Sequence, residues 1–155
     1  PLFGEGLAFV SSGFGKTELL AVRVDGAGDV TQSHVAWRTT RGVPKMPSPV
    51  LVGDLLFLLG DSGVMTCLEA RTGKELWQER IGGEYAASPV CAGGRIYCFS
   101  QDGRIVVLRA GRTFEVLARN TLASGFMASP AISDGALFLR TKPHLYRIQK
   151  EHSQP

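Results

Sequence analysis

The sequence predicts an all-β fold, a β-propeller of four-stranded antiparallel blades with about three and a half blades present. Three observations support this prediction. Nineteen glycines and eight prolines are spread along the 155 residues, as expected for short elements joined by tight turns. Short apolar runs end at Gly, Asp or Ser, and no segment keeps an apolar period of 3.6 residues. The sequence also repeats about every forty residues, a period typical of propellers.

The repeat is clearest at its Ser-Pro pairs. The serines Ser48, Ser88 and Ser129 are 40 and then 41 residues apart, and Trp37 and Trp77 are also 40 apart. Each Ser-Pro pair opens a pattern of strand, tight turn and strand, in SPVLVGDLLFLLGDSG, SPVCAGGRIYCFSQDG and SPAISDGALFLRTK. The three segments are therefore copies of one structural unit.

The four strands of each unit, named A to D, can be assigned from the repeat. Strand A begins at Ser-Pro, because proline is tolerated at the first position of a strand. Strand B is LLFLLG, RIYCFS or ALFLRT, strand C is VMTCLEA, RIVVLRA or HLYRIQK, and strand D is ELWQERI or EVLARNTL. Nearer the start, GLAFVSS, ELLAVRV and HVAWRTT match strands B, C and D of a first blade that lacks strand A.

These assignments predict one partial propeller over residues 1–155. Strands B to D of a first blade occupy residues 1–46, full blades occupy 47–86 and 87–127, strands A to C of a fourth occupy 128–150, and 151–155 form a polar tail. An open arc of blades leaves an apolar face at each end. We therefore expect self-association, or further blades of a longer protein that complete the ring.

The stretch SSGFGKTELL contains Gly15-Lys16-Thr17, the ending of a phosphate-binding loop. The first glycine of that motif would stand five residues before Gly15, where Val10 is found, and a strand rather than a helix follows. The repeat places residues 11–18 in the loop between strands B and C. Lys16 is therefore predicted to be an exposed loop lysine, not a phosphate ligand.

Composition and charge limit the possible partners. With 44% hydrophobic and 20% charged residues, the chain has the composition of a soluble globular protein. The net charge of +3 comes from scattered basic residues, which gives no patch for nucleic acid. The apolar runs are too short to span a bilayer, and PLFGEGLAFV lacks the features of a signal peptide.

The segment CLEARTGKELWQERIGGEYAASPV resembles the repeat of the PQQ-like, quinoprotein-type β-propellers. In that family strand C ends in a small residue, and TGKELW leads into strand D. The resemblance is weaker in the third blade, where RAGRTFEVL replaces this motif and Leu117 stands at the tryptophan position. It implies a bacterial protein that is periplasmic or otherwise exported, and it implies that Trp37 and Trp77 dock neighbouring blades.

The family includes oxidoreductases that depend on pyrroloquinoline quinone (PQQ) and calcium. Such enzymes need converging oxygen ligands for Ca²⁺, a catalytic Asp and, in several members, adjacent cysteines. Cys67, Cys91 and Cys98 are never adjacent, and Asp25 and Asp29 fit a long turn between strands C and D. No catalytic, metal or cofactor residue is therefore predicted in this chain. The enzymatic alternative requires catalytic residues in blades that this chain lacks.

Candidate binding residues follow from propeller geometry. The D–A loops, which join strand D to the next strand A, and the B–C loops line one mouth of the central channel in propellers. Three residues before the Ser-Pro serines stand Lys45, Tyr85 and Phe126, with Met46 and Met127 beside two of them. These five residues either contact a ligand or protein partner or only cover the channel. The preferred function is a non-catalytic scaffold that binds a protein or small ligand at the channel mouth.

Overall fold

The structure is a computed structural model that describes residues 1–13 and 15–150. Within these ranges all regular elements are β-strands, and fifteen strands form four antiparallel sheets. Three sheets have four strands and one has three, each with its strands in sequence order. The predicted all-β architecture of partial propeller blades is confirmed. The described part of the chain contains no helix suited to crossing a membrane.

The strands follow the chain in blades one to four. Blade one holds β1 (Leu2–Gly4), β2 (Leu7–Ser12), β3 (Glu18–Arg23) and β4 (Val35–Thr39). Blade two holds β5 (Val50–Val52), β6 (Leu55–Leu59), β7 (Val64–Glu69) and β8 (Glu75–Arg80). Blade three holds β9 (Val90–Ala92), β10 (Arg95–Phe99), β11 (Arg104–Arg109) and β12 (Val116–Thr121). Blade four holds β13 (Ala131–Ser133), β14 (Ala136–Arg140) and β15 (Leu145–Gln149).

The prediction that the first blade lacks strand A is wrong. Strand β1 pairs with β2 through a two-residue turn, with Gly4 opposite Leu7. The turn residues Glu5 and Gly6 have φ angles of 56° and 73°, the left-handed values that a tight hairpin of this kind requires. Gly6 was the available signal, because it stands directly before strand B as Gly135 does in blade four. The first blade has no Ser-Pro pair to mark its inner strand.

The B–C loop of blade one is shorter than predicted. Ser11 pairs with Leu19 and Ser12 with Glu18, so strand pairing continues to the edge of a loop over residues 13–17. Lys16 lies in this loop and is exposed, while residue 14 lies outside the described residues.

The Ser-Pro pairs connect the inner strands of successive blades. Each proline directly precedes strand A rather than opening it. The backbone N–H of Ser48 donates to Ser88 Oγ at 2.9 Å, and the N–H of Ser88 donates to Ser129 Oγ at 2.9 Å. The serine of the repeat therefore links blade two to blade three and blade three to blade four.

The core lies between blades. Every blade has a near face, toward the preceding blade, and a far face, toward the following one. The first core cluster joins the far face of blade one to the near face of blade two, and its buried members are Leu7, Phe9, Leu19, Ala21, Val43, Leu56, Leu58, Leu68 and Ala70. Equivalent clusters join blade two to blade three and blade three to blade four. Flat apolar faces of neighbouring sheets thus bury one another.

Each tryptophan contacts the blade that follows its own. Trp37 Nε1 donates a hydrogen bond to the Ala70 carbonyl at 2.9 Å, and Trp77 Nε1 donates to the Gly111 carbonyl at 3.1 Å. Both acceptors follow strand C of the next blade. The ring of Trp37 also lies on Gly73, where a Cβ atom would come within 2.6 Å of it. A glycine is needed there for this close contact and for a φ of 71°.

The tryptophan position in blade three is occupied by Ala118, so the prediction of Leu117 is wrong. Trp77 lies opposite Cys67 in the pairing of β7 with β8. The residue equivalent to Cys67 in blade three is Val107, and Val107 lies opposite Ala118.

A longer turn between strands C and D explains this shift. In blade two the turn closes with a bond from the Glu69 N–H to the Lys74 carbonyl. In blade three the corresponding bond runs from the Arg109 N–H to the Glu115 carbonyl, one residue further along. The extra residue moves strand D by one position, which places Ala118 rather than its neighbour on the far face.

The near face of blade one is apolar and uncovered. In the strand register, its residues correspond to the residues of blade two that face blade one. They are Phe3, Ala8, Val10, Leu20, Val22 and Val24. Phe3 is 70% exposed, Val10 44% and Val24 55%. The equivalent residues Leu58 and Ala70 are fully buried. Contiguous exposed apolar surface of this kind marks an interface.

We expect this chain alone to self-associate through the near face of blade one. Light scattering at tens of micromolar should give a mass above that of the monomer, as a defined dimer or as larger aggregates. Val10→Lys should reduce the association, because a charge on this face must be desolvated. Thr121→Lys, on an exposed strand position elsewhere, serves as the control. A monodisperse monomer of the unmodified chain would show that this face does not drive association.

Candidate functional site

Two grooves open on the loop face, which we define as the end of the blades that carries the B–C and D–A loops. The first groove, of about 590 Å³, lies between blades one and two. Its lining includes Arg41, Val43, Lys45, Met46 and Asp61. Lys45 and Met46, both predicted binding residues, are exposed here.

Asp61 fixes the shape of the first groove. Its carboxylate accepts hydrogen bonds from the backbone N–H of Lys45 at 2.8 Å and from that of Met46 at 3.1 Å. The B–C loop of blade two thereby holds the D–A loop that precedes it. Hydrogen bonds to an ionised acceptor are among the stronger ones in proteins. The side chains of Lys45 and Met46 are consequently presented from a backbone that is already positioned.

The second groove has the equivalent place between blades three and four. It measures about 370 Å³, and its lining includes Gln101, Phe126, Met127, Arg140 and Lys142. Met127 is 65% exposed, and Met46 in the first groove is 55% exposed. The loop face thus carries two grooves, each with an exposed methionine and with basic residues. The structure brings Lys45 and Met46 together in one groove and Phe126 and Met127 together in the other.

Tyr85 and Phe126, the other two predicted binding residues, are buried, although Phe126 lines the second groove. Tyr85 is 0% exposed and belongs to the core between blades two and three. Phe126 is 1% exposed, and its ring packs edge-on against Phe99 at a centroid distance of 5.1 Å. Both side chains turn inward because exposing an aromatic ring to water costs more free energy than exposing the side chain of Lys45, which stands at the same repeat position.

The hydroxyl group of Tyr85 is buried, and none of the residues that the structure describes forms a hydrogen bond with it. Burial raises the pKa of this hydroxyl well above its ordinary value, so it stays protonated. Ser100 lies close by, since a Cβ atom at Gly83 would contact both Ser100 and the Tyr85 ring. The ring therefore stabilises the interface between blades two and three, whereas burial of its hydroxyl lowers the free energy of unfolding.

Ser33, His34 and Asp25 come together in the long C–D loop of blade one. Ser33 Oγ lies 2.7 Å from His34 Nδ1, and His34 Nε2 lies 3.5 Å from Asp25 Oδ1. The second distance is too long for a good hydrogen bond. These residues also line none of the cavities described for this protein. The arrangement does not form a nucleophilic site.

The described residues bring no three His, Cys, Asp or Glu side chains together in an arrangement that could hold a metal ion. Cys67, Cys91 and Cys98 are free thiols. Burial raises the pKa of both the Cys67 and the Cys98 thiol to about 12, which keeps them from acting as thiolates at neutral pH.

Comparison with known proteins gives one consistent family. The family model described as outer membrane protein assembly factor BamB matches residues 16–113. The BamB of Marinobacter adhaerens is 28% identical over 104 residues, which cover 66% of this chain and 26% of that protein. The BamB of Escherichia coli K12 is 27% identical over 90 residues, covering 58% of this chain and 22% of that protein. The chain spans about a quarter of the length of these relatives.

Solved structures share the fold. The BamB structure from Moraxella catarrhalis superposes with a TM-score of 0.69 at 19% identity, over 93% of this chain and 43% of that one. A europium-containing methanol dehydrogenase superposes with a TM-score of 0.58 at 17% identity, over 78% of this chain and 24% of that one. At these identities the similarity establishes the propeller fold, which both a BamB and a dehydrogenase possess.

Replacing Tyr85 by Phe should increase the free energy of unfolding by about 1 kcal/mol, because it removes a buried hydroxyl that has no partner while keeping the ring. Urea unfolding followed by fluorescence measures this change. Tyr146→Phe, in a half-buried tyrosine, is the matched control and should change the value by less than about 0.5 kcal/mol. A loss of more than about 1 kcal/mol for Tyr85→Phe would show that the hydroxyl is satisfied in solution.

Proposed function

The chain belongs to the family of outer membrane protein assembly factor BamB, and on this basis we propose that it forms part of a non-catalytic propeller scaffold that binds a protein partner through the loop face. The name of the relatives describes assembly of outer membrane proteins. We accordingly propose that the protein acts in the assembly of outer membrane proteins and is exported to the periplasm.

The observation that carries the proposal is the anchored Lys45–Met46 loop. Two backbone N–H groups bound to one carboxylate fix the backbone from which two exposed side chains project. A preformed binding surface loses less entropy when a partner docks than a mobile loop does. Methionine suits such a surface, because its unbranched, polarisable side chain adapts to different partners.

The second groove supports the same proposal. Met127 repeats the exposed methionine, and Lys142 repeats the basic group beside the groove. Two equivalent grooves on one face can contact a single partner at two points, which increases the overall affinity. The grooves differ in size and lining, so they need not contact the same part of that partner.

Photocrosslinking in the native host tests the proposal. A photoreactive phenylalanine analogue at position 46 or 127 of the whole protein should give one discrete protein adduct. The same analogue at Arg112, in a C–D turn at the opposite end of the blades, is the control and should not give that adduct. Equal adducts at all three positions, or no protein adduct at 46 and 127, would contradict the proposed surface.

The triple variant Lys45→Glu, Met46→Ser, Met127→Ser should reduce the adduct formed from a probe placed at Ser62 at least tenfold, since Ser62 lines the first groove. Its unfolding temperature should stay within a few degrees of the unmodified protein, because the three side chains are exposed. Calcium- and PQQ-dependent oxidation of an alcohol by the whole protein would instead support the enzymatic alternative.

A further inference from the structure

A third cavity, of about 460 Å³, lies between blades three and four at the opposite end from the loop face. Its apolar lining includes Tyr97 from blade three and Leu137 and Ile148 from blade four. We call this cavity the turn-side groove, because Gly135 of the A–B turn and Lys150 after strand C also line it. Its volume is within the range of ligand pockets in proteins.

The turn-side groove exposes a residue that the other interfaces bury. Ile148 pairs with Leu137 in blade four. The equivalent pairs are Leu68 with Leu56 in blade two and Leu108 with Ile96 in blade three. Leu68 is 4% exposed and Leu108 is 0% exposed, whereas Ile148 is 48% exposed. The same register position is therefore half open at this interface and closed at the other two. Ile148 also lies on a sheet edge, because the described part of blade four ends with strand C, whereas a strand D flanks Leu68 and Leu108.

A tryptophan fills the corresponding place at the other two interfaces. The ring of Trp37 lies 5.9 Å from that of Phe9, and the ring of Trp77 lies 6.0 Å from that of Phe57. The residue at the register position of these phenylalanines in blade three is Tyr97, which lines the turn-side groove. The indole that would lie against Tyr97 is missing because strand D carries Ala118 at the tryptophan position.

We propose that the turn-side groove binds a tryptophan side chain of a partner protein, in the place that Trp37 and Trp77 fill at the other two interfaces. Tyr97 supplies the aromatic wall, and Leu137 and Ile148 supply the apolar floor. The carbonyl of Lys150 stands at the register position of the Ala70 carbonyl, which accepts the indole N–H of Trp37.

The charge of the groove adds to its selectivity. Lys150 is the charged residue of the lining, and it favours a carboxylate next to the bound ring. The partner segment is therefore a tryptophan with an acidic neighbour. Large aromatic side chains that insert into preformed pockets commonly dominate the affinity of an interface. This site is separate from the loop face and does not depend on the function proposed for that face.

N-acetyltryptophan, which combines an indole and a carboxylate, is the probe for this site. In methyl-resolved NMR of the full chain, it should cause saturable shifts of the Leu137 and Ile148 methyl groups. N-acetylleucine, with the same charge and no ring, should bind at least tenfold more weakly. Equal binding of the two probes, or shifts of N-acetyltryptophan that never saturate, would overturn the proposal.

Ala118→Trp tests the location of the site by supplying the missing indole from strand D. It should weaken N-acetyltryptophan binding at least tenfold and raise the unfolding temperature. Thr121→Trp, exposed on the same strand, is the matched control and should leave binding unchanged. If Ala118→Trp does not fold, Ile148→Asn and Lys150→Gln replace it, since both residues are exposed and each should weaken binding. Unchanged binding in the folded variants would overturn the proposal.

Discussion

The contact between the far face of one blade and the near face of the next is the interaction on which the rest of this structure depends. A four-stranded sheet cannot bury either of its own faces, so each apolar cluster forms only where two blades meet. The indole N–H groups of Trp37 and Trp77 add directional hydrogen bonds to this apolar contact between flat sheets. Apolar packing alone would allow the sheets to slide past one another, whereas a bond to a single carbonyl fixes their relative position.

The candidate sites follow from how completely each junction is filled. Between blades two and three, Trp77 and Tyr85 both fill the junction, and the two loop-face grooves and the turn-side groove lie at the other two junctions. Between blades one and two, Trp37 fills the turn side, while Lys45 leaves the loop side open as a groove. Between blades three and four, the turn side is open as well. Variation in the side chains at a junction, such as Ala118 at the tryptophan position, thus opens a groove without changing the fold.

The repeat was enough to predict the blade architecture and most strands, because turn glycines and alternating apolar residues recur in fixed positions. The inner strand of blade one was missed because its hairpin turn is Glu5-Gly6 without a preceding Ser-Pro. Counting forty residues from Trp77 gave Leu117, since a sequence offset cannot show that the intervening turn is one residue longer. Of the five candidate binding residues, three are exposed and two are buried. Lys45, Met46 and Met127 are exposed, but the inward direction of Tyr85 and Phe126 depends on packing between blades.

The most direct test of this account is urea unfolding of two variants at Trp77. Trp77→Ala removes both the packing and the hydrogen bond and should lower the free energy of unfolding by about 3–5 kcal/mol. Trp77→Phe keeps an aromatic ring but removes the N–H donor to the Gly111 carbonyl. It should lower the free energy of unfolding by about 0.5–1.5 kcal/mol through the lost hydrogen bond, with a smaller further loss from packing. A loss below about 1 kcal/mol for Trp77→Ala would contradict the account, because it would mean that the tryptophan does not hold neighbouring blades together.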